Sequence, residues 1–457
     1  MSALPRRVHF VGIGGIGMSA LAKVLQDDGH RVSGSDQKLS EIAKRLATGG
    51  ARLVEGHAAA NLGDAELVVT TAALPPGNPE VDAARERGIP IVKRAELLGR
   101  LMDDRRGIAV AGTHGKTTTS SMIAHILLSA GLDPTFVVGG EIRGLDANAR
   151  RGGGEWLVAE ADEYDRSFLY LRPEIAVITN VEVDHLDIYR DLEDIQATFA
   201  RFADQTIRVL ILCADDPFLR SNQFAPARKA RVETYGLTGG DWTARDIRLG
   251  GAASTFVATG PAGNAAIRLD VPGRHNIQNA LGALAAVVAS GVSLEQAASA
   301  LARFQGAKRR LEPVGAVGGV LVIDDYSHHP TEIRAALSAL RASYPGRRIV
   351  CLHQPHTFSR TKTLLDEFAR AFGDADVVRI ADIYAARERD EWGISSVDLV
   401  KSADHPDIRS SGSVEESAET IAGELQPGDV LALVGAGDIN RAAALVLARL
   451  SGVGEVH

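Results

Sequence analysis

Short apolar runs recur along the chain, each ending in glycine or in polar side chains. They fall at 8–11, 31–34, 67–71, 89–92, 108–111, 135–138, 156–160, 175–179, 210–213, 319–325, 349–352, 377–380 and 430–434. Between most of them lie stretches with helical spacing, so the pattern predicts an α/β fold built on open parallel sheets. From 242 to 269 the texture changes to short alternating segments with Gly and Thr, which predicts an antiparallel ribbon. An Ala-rich stretch at 280–292 carries Gly282, Ser290 and Gly291 and is too short to span a bilayer, so it reads as a buried helix. At 457 residues the chain is too long for one core. The polar break Asp103-Asp-Arg-Arg-Gly107 and the turn near Glu312 divide it into three α/β domains, 1–106, 107–311 and 312–457.

The sharpest signal opens the second domain. The strand 108–111 breaks into Gly112-Thr-His-Gly-Lys-Thr117 and continues as a helix to about 130. Glycines let backbone N–H groups turn onto phosphate oxygens, and the helix N-terminus adds partial positive charge. Lys116 is placed to reach the β- and γ-phosphates and the Thr117 hydroxyl to hold Mg²⁺. This is the shorter G-x-x-G-K-T form, because Val110 stands near where the full motif has its first glycine. The stretch Gly112, Thr113, His114, Gly115, Lys116, Thr117 and Thr118 is therefore the expected ATP cradle.

The first domain carries a second phosphate signal. Gly12, Gly14 and Gly17 satisfy G-x-G-x-x-G after a strand, with Gly15 inside the turn, and Asp36 follows 19 residues beyond Gly17. Taken alone this favours NAD and an oxidoreductase, but a UDP-sugar supplies the same diphosphate. The oxidoreductase reading also leaves Lys116 and two further domains unexplained. Carboxylates gather at the strand ends of the second domain, in Glu160-Ala-Asp-Glu-Tyr-Asp165 and Thr179-Asn-Val-Glu-Val-Asp-His-Leu-Asp187, where Mg²⁺ needs oxygen ligands. Imidazole is not a favoured Mg²⁺ ligand, so the chemistry leaves His185 open between metal ligand, substrate contact and structural bond. Asn276 is placed either to cap the following helix or to meet a ligand. In the third domain polar residues again follow strands: Asp324-Asp-Tyr326, His353-Gln-Pro-His356 through Arg360, and Asp438. A net charge of −8 and few aromatics argue against a nucleic-acid partner. Two distant cysteines, Cys213 and Cys351, and no signal-like N-terminus predict a cytoplasmic protein. Monomer and dimer fit the pattern equally.

Together these motifs resemble the Mur ligases of peptidoglycan synthesis. The resemblance rests on Gly12–Met18, Ser33–Asp36, Gly112–Thr117, Glu160–Glu163, Asp184–Asp187, Pro272–Asn276, Arg309–Glu312, Asp325–Glu332 and Gln354–His356, in order over nearly the whole chain. It implies a Rossmann-like domain for a UDP-sugar, a central P-loop ATPase domain and a Rossmann-like C-terminal domain. It also implies that ATP phosphorylates the lactyl carboxylate of UDP-N-acetylmuramate and that L-alanine attacks the acyl phosphate to give an amide. On that pattern Thr117 and Glu160 hold one Mg²⁺ and His185 a second. Asn276, Arg310 and Asp325 contact the nucleotide, with Arg310 joining Lys116, Glu160 and His185 in catalysis. The glycine turn Gly12–Gly17 and Asp36 take the UDP-sugar, and His356 and Arg360 meet the amino acid. A recycling ligase that joins a preformed peptide to the same nucleotide sugar shares these motifs and is the alternative. Three positions depart from the family: Tyr164 replaces a frequent Ser, Ser327 a frequent Gly, and no Lys stands near Ala200, where sister ligases carry a carbamylated one.

Overall fold

The computed structural model of the chain describes residues 4–71, 74–224, 230–251 and 253–452. Among these, three sheets are arranged in series along the sequence. The first contains β1 (Arg7–Val11), β2 (Arg31–Asp36), β3 (Arg52–Glu55), β4 (Leu67–Thr70) and β5 (Ile91–Lys93), all parallel, in the order 3-2-1-4-5. The strand order reverses beside β1, which is where open α/β sheets open a crevice for ligands.

The second sheet contains β6 (Arg106–Ala111), β7 (Thr135–Ile142), β8 (Ala147–Arg150), β9 (Trp156–Glu160), β10 (Ile175–Ile178), β11 (Val209–Cys213) and β12 (Arg231–Gly236). It continues into an antiparallel ribbon of β13 (Trp242–Gly250), β14 (Ala253–Gly260) and β15 (Gly263–Leu269). The nucleotide strand β6 lies between β10 and β9 and pairs in parallel with both. The carboxylate-bearing ends of β9 and β10 therefore flank the turn after β6. The third sheet contains β16 (Glu312–Val317), β17 (Val320–Asp325), β18 (Ile349–His353), β19 (Val377–Ala381), β20 (Ile408–Gly412) and β21 (Val430–Val434), in the order 16-17-21-18-19-20. Only β16 runs antiparallel to its neighbour.

The apolar runs are fully buried strands, as β10, β11, β18 and β21 illustrate, because helices cover both faces of each parallel sheet. Strands β3, β8, β12 and β20 carry no apolar run and escape the hydrophobic reading. One alternative is corrected. The Ala-rich helix starts at Arg274 with Gly273 at its N-cap, so Asn276 lies inside the first turn and does not cap it. The first two sheets share one buried core. Leu97, Leu98, Leu101 and Met102 from the first sheet's last helix belong to one buried cluster with Ile108, Phe168 and Phe202.

A buried carboxylate fastens the first domain. Glu80 is fully buried, and its Oε2 accepts the Ser35 hydroxyl at 2.5 Å while Oε1 accepts Asn61 Nδ2 at 2.5 Å. His9 Nε2 lies 3.5 Å away and His57 Nδ1 3.4 Å away. Burial raises the pKa of Glu80, but the His9, Ser35 and Asn61 bonds reverse this and bring it to about 2. A depressed carboxylate contributes stability above its unfolded value of 4.5, and loses it as pH falls towards about 2. Glu80→Ala leaves three donors without an acceptor and is expected to cost about 3 kcal/mol, read as a lower melting temperature at neutral pH. Glu80→Gln should flatten the acid limb between pH 4.5 and 2, and an unchanged limb would show that the charge contributes nothing.

Candidate active site

In the first domain the glycine turn is closed by strand β2. The Ser35 carbonyl accepts the N–H groups of Gly12 at 2.8 Å and Ile13 at 3.0 Å. Asp36 Oδ2 accepts the Gly14 N–H at 2.8 Å, so this carboxylate also shapes the turn itself. Gly15 is the N-cap of the helix Ile16–Asp27, and Gly17 sits in its first turn against Arg94. Arg94 in turn reaches Asp162 of the second domain at 3.2 Å, which ties the turn to the carboxylate cluster.

The turn after β6 needs its glycines. Gly112 has φ +139° and Gly115, the N-cap of the helix Lys116–Ser129, has φ +81°. A side chain at Gly112 would overlap Thr179 Oγ1, and one at Gly115 would meet Asn279 Oδ1 at 2.5 Å. Lys116 Nζ is curled into the turn, donating to the Gly112 carbonyl at 2.5 Å and the Thr113 carbonyl at 3.1 Å. Its charge is balanced by Glu163, whose Oε2 lies 2.8 Å away. Burial lowers the lysine pKa, but Glu163, Asp162 and Glu160 outweigh it, and the net shift is upward. Glu163 is itself buried, and burial pushes its pKa up while Lys116 and His185 only partly oppose this. Glu163 belongs to the site, although the sequence singles out only Glu160 from this cluster.

Glu160 Oε2 accepts the Gly139 N–H at 2.7 Å. A side chain at the adjacent Gly140 would meet Thr117 Cγ2 at 3.2 Å, so Thr117 and Glu160 border the same Gly139–Gly140 segment. A hydroxyl and a carboxylate are the oxygen donors that Mg²⁺ takes, and this pair fits it. His185 has φ +54°, and its Nε2 lies 3.7 Å from both Glu163 Oε1 and Asp184 Oδ2. An imidazole between two carboxylates fits a cation site whose oxygens come largely from its neighbours.

The predicted nucleotide residues converge. A cavity of about 260 Å³ is lined by His114, Gly115, Thr117, Thr118, Asn276, Arg310 and Asp325, with Asp215, Asn279 and Glu332 among further residues not foreseen. Asn276 Nδ2 donates to the Pro272 carbonyl at 2.7 Å, and its Oδ1 accepts Asn279 Nδ2 at 3.3 Å. Asp325 accepts the N–H groups of Leu311 at 2.7 Å and Ser327 at 2.9 Å, which fixes the connection between the second and third domains. His114 lies between Glu182 and Glu332, each 3.4 Å from one ring nitrogen. Burial opposes its charge, but the two carboxylates raise its pKa to about 9. With His329, His114 and Glu182 bring three donor atoms within 4.8 Å of one another. His329 Nδ1 already accepts the Thr331 N–H and Glu182 the Thr331 hydroxyl, so this group is a domain junction held by hydrogen bonds.

His185, His356 and Arg360 lie elsewhere, in a larger cleft of about 940 Å³ between the second and third domains. Tyr164, Asp184, Tyr384 and Trp392 also line it. Arg360, expected to meet the amino acid, is held by other residues of the protein. Its Nε and Nη2 both grip Asp184 Oδ1, at 3.1 and 2.8 Å, and Nη1 meets His356 Nδ1 at 3.1 Å. Asp184 comes from another domain 176 residues away, so no local pattern announces the pair. Burial raises the Asp184 pKa, but Arg360 overcomes this and holds it well below the usual range. Burial, reinforced by Arg360, lowers His356 to about 4 and keeps it neutral. The Tyr164 hydroxyl donates to Asp187 at 3.3 Å, which gives this departure from the family a partner within the cleft.

Sequence profiles described as Mur ligase family, catalytic domain, Mur ligase middle domain and Mur ligase, glutamate ligase domain match residues 7–106, 110–287 and 309–437. A UDP-N-acetylmuramate–L-alanine ligase of Clostridium novyi (strain NT) is 44% identical over 453 residues, 97% of each chain. The crystal structure of UDP-N-acetylmuramate-alanine ligase MurC from Thermotoga maritima superposes with a TM-score of 0.83 at 30% identity, covering 98% of this chain and 99% of that one. A murein peptide ligase from Psychrobacter arcticus superposes with a TM-score of 0.74 at 26% identity, covering 99% of this chain and 100% of that one. Matched by three family models from residue 7 to 437 and by a 44% identical relative over 97% of its length, the chain belongs to the Mur ligase family.

Proposed function

We propose that this chain is an ATP-dependent ligase that joins L-alanine to the lactyl carboxylate of UDP-N-acetylmuramate in peptidoglycan precursor synthesis. The observation that carries the reading is the adjacency of two sites along one segment: Asn180 and Glu182 line the nucleotide cavity beside Gly115 and Thr117, and Val183–Asp187 line the cleft around Arg360. The full-length relatives favour free alanine over a preformed peptide, since the 44% identical relative is an alanine ligase and the murein peptide ligase structure is more distant.

In this reading the glycine turn Gly12–Gly17, with Asp36 beside it, takes the UDP-sugar and directs the sugar towards the Arg94–Asp162 contact. Lys116 exchanges its carbonyl partners for the ATP phosphates, and the turn amides and Arg310 supply further positive charge around them. Thr117 and Glu160 would hold one Mg²⁺ and His185 a second, which together would supply charge stabilisation to the transferring phosphoryl group. The lactyl carboxylate oxygen attacks the γ-phosphorus and ADP leaves. The alanine nitrogen then attacks the acyl carbon, sheds a proton, and phosphate departs as the amide forms. Arg360 presents the cation for the alanine carboxylate beside the neutral His356, exchanging part of its grip on Asp184 for the substrate. A cytoplasmic location goes with this reading, because ATP and the nucleotide sugar are cytoplasmic metabolites. Among the described residues no helix is long and apolar enough to cross a membrane.

The reading is tested by ADP release with UDP-N-acetylmuramate and each amine acceptor. Release should depend on L-alanine. A protein that ignores L-alanine but consumes ATP with a free tripeptide is the recycling ligase instead. Lys116→Ala is expected to abolish release while UDP-N-acetylmuramate still binds by calorimetry, and near-normal turnover would remove the P-loop assignment. Glu160→Gln and His185→Ala should each weaken Mg²⁺-dependent turnover by about 10- to 100-fold and weaken Mn²⁺ binding followed by electron paramagnetic resonance. Arg360→Lys keeps the charge but loses the planar fork. It should raise the KM for L-alanine well above any change in that for ATP, and equal changes in both would deny it a role at the amino acid.

A further inference from the structure

Glu332 joins the two sites with a single side chain. It lies in the first turn of the helix Pro330–Ser343 in the third domain, and its side chain is 9% exposed. Its two oxygens face different ways. Oε1 is 3.4 Å from Nδ1 of His114 in the P-loop and 3.5 Å from Arg310 Nη1, both on the nucleotide cavity. Oε2 accepts the backbone N–H of His328 at 3.1 Å and lies 3.4 Å from His328 Nδ1. The same Nδ1 is 3.1 Å from the Tyr326 carbonyl, which can only accept, so this nitrogen carries the proton and the ring is fixed in orientation. The His328 ring stands 5.7 Å from that of His356, whose Nδ1 accepts from Arg360 at the alanine cleft.

A buried carboxylate shared among a histidine, an arginine and a second histidine is costly unless all its partners stay in place. Three of them come from different places: the P-loop, the connection between domains, and the wall next to the acceptor cleft. Any movement of the P-loop on filling is therefore felt at the His328 backbone through one rigid group. We propose that Glu332 is a positioning residue that couples nucleotide binding at the P-loop to assembly of the alanine site. The coupling requires the third domain to be docked, because His114 belongs to the second domain and Glu332 to the third. It rests on the ligase reading above, but only on there being a nucleotide site and an amine site, not on which amine is used.

The test is a linkage measurement. The affinity for L-alanine is measured by calorimetry on enzyme loaded with UDP-N-acetylmuramate, with and without a non-hydrolysable ATP analogue and Mg²⁺. The wild type should bind alanine tighter with the analogue, within the roughly 5- to 150-fold range of coupled sites. Glu332→Gln preserves size and the acceptor for the His328 N–H but removes the charge, and should bring that ratio towards one while UDP-N-acetylmuramate affinity stays unchanged. His114→Gln cuts the same link from the other domain, so the double variant should lose no more coupling than either single one. Retention of the wild-type ratio in Glu332→Gln overturns the proposal, as does a loss confined to nucleotide affinity. If Glu332→Gln lowers the melting temperature sharply, the His114→Gln ratio alone decides. If the wild type proves to prefer another amine, the ratio is measured with that amine, so a mistaken acceptor and a failed coupling give different results.

Discussion

The site is organised by the need to keep a lysine charged inside a turn that excludes water. Lys116 is largely buried, and its ammonium has only two turn carbonyls and Glu163 for company. An isolated cation there would shed its proton; the carboxylates of Glu163, Asp162 and Glu160 prevent this. The same requirement explains why β6 lies between β9 and β10. That position brings two strand ends rich in carboxylates to either side of one cation. Asp162 is paired with Arg94, and His185 lies 3.7 Å from Glu163. A triphosphate can enter because Lys116 holds acceptors it can exchange.

What the sequence made legible is what local chemistry determines. The P-loop, the first glycine turn and the strand-end carboxylates are each complete within a dozen residues, and their glycines and charges have no other ready use. The buried strands were legible for the same reason, since a parallel strand covered on both faces is a continuous apolar run. Four strands without such runs were not. Asn276 stayed open between cap and ligand contact because a cap is recognised by residue type, whereas the backbone chose Gly273, whose φ of +102° suits the turn. The partners of Arg360 and Glu332 were beyond local reading. Asp184 is 176 residues from Arg360, and only the docking of domains brings the two together.

The carboxylates facing the nucleotide cavity look misplaced in a protein of net charge −8 whose two proposed nucleotide substrates are anionic. Glu182 and Glu332 lie where phosphate repulsion should be avoided. Both, however, are within 3.4 Å of His114, and together they raise it to about 9, so it carries a charge at neutral pH. Glu332 also pairs with Arg310, which lies on the same cavity. The acids thus act through the cations they hold: they fix a second and a third positive group next to Lys116 instead of facing the phosphates unpaired. One domain alone could not do this. Glu182 precharges His114 from within the second domain, and Glu332 completes the arrangement only when the third domain is in place. In the proposed ligase, phosphate affinity and docking of the third domain on the second therefore depend on the same two carboxylates, which is a physical reason for those two domains to act together.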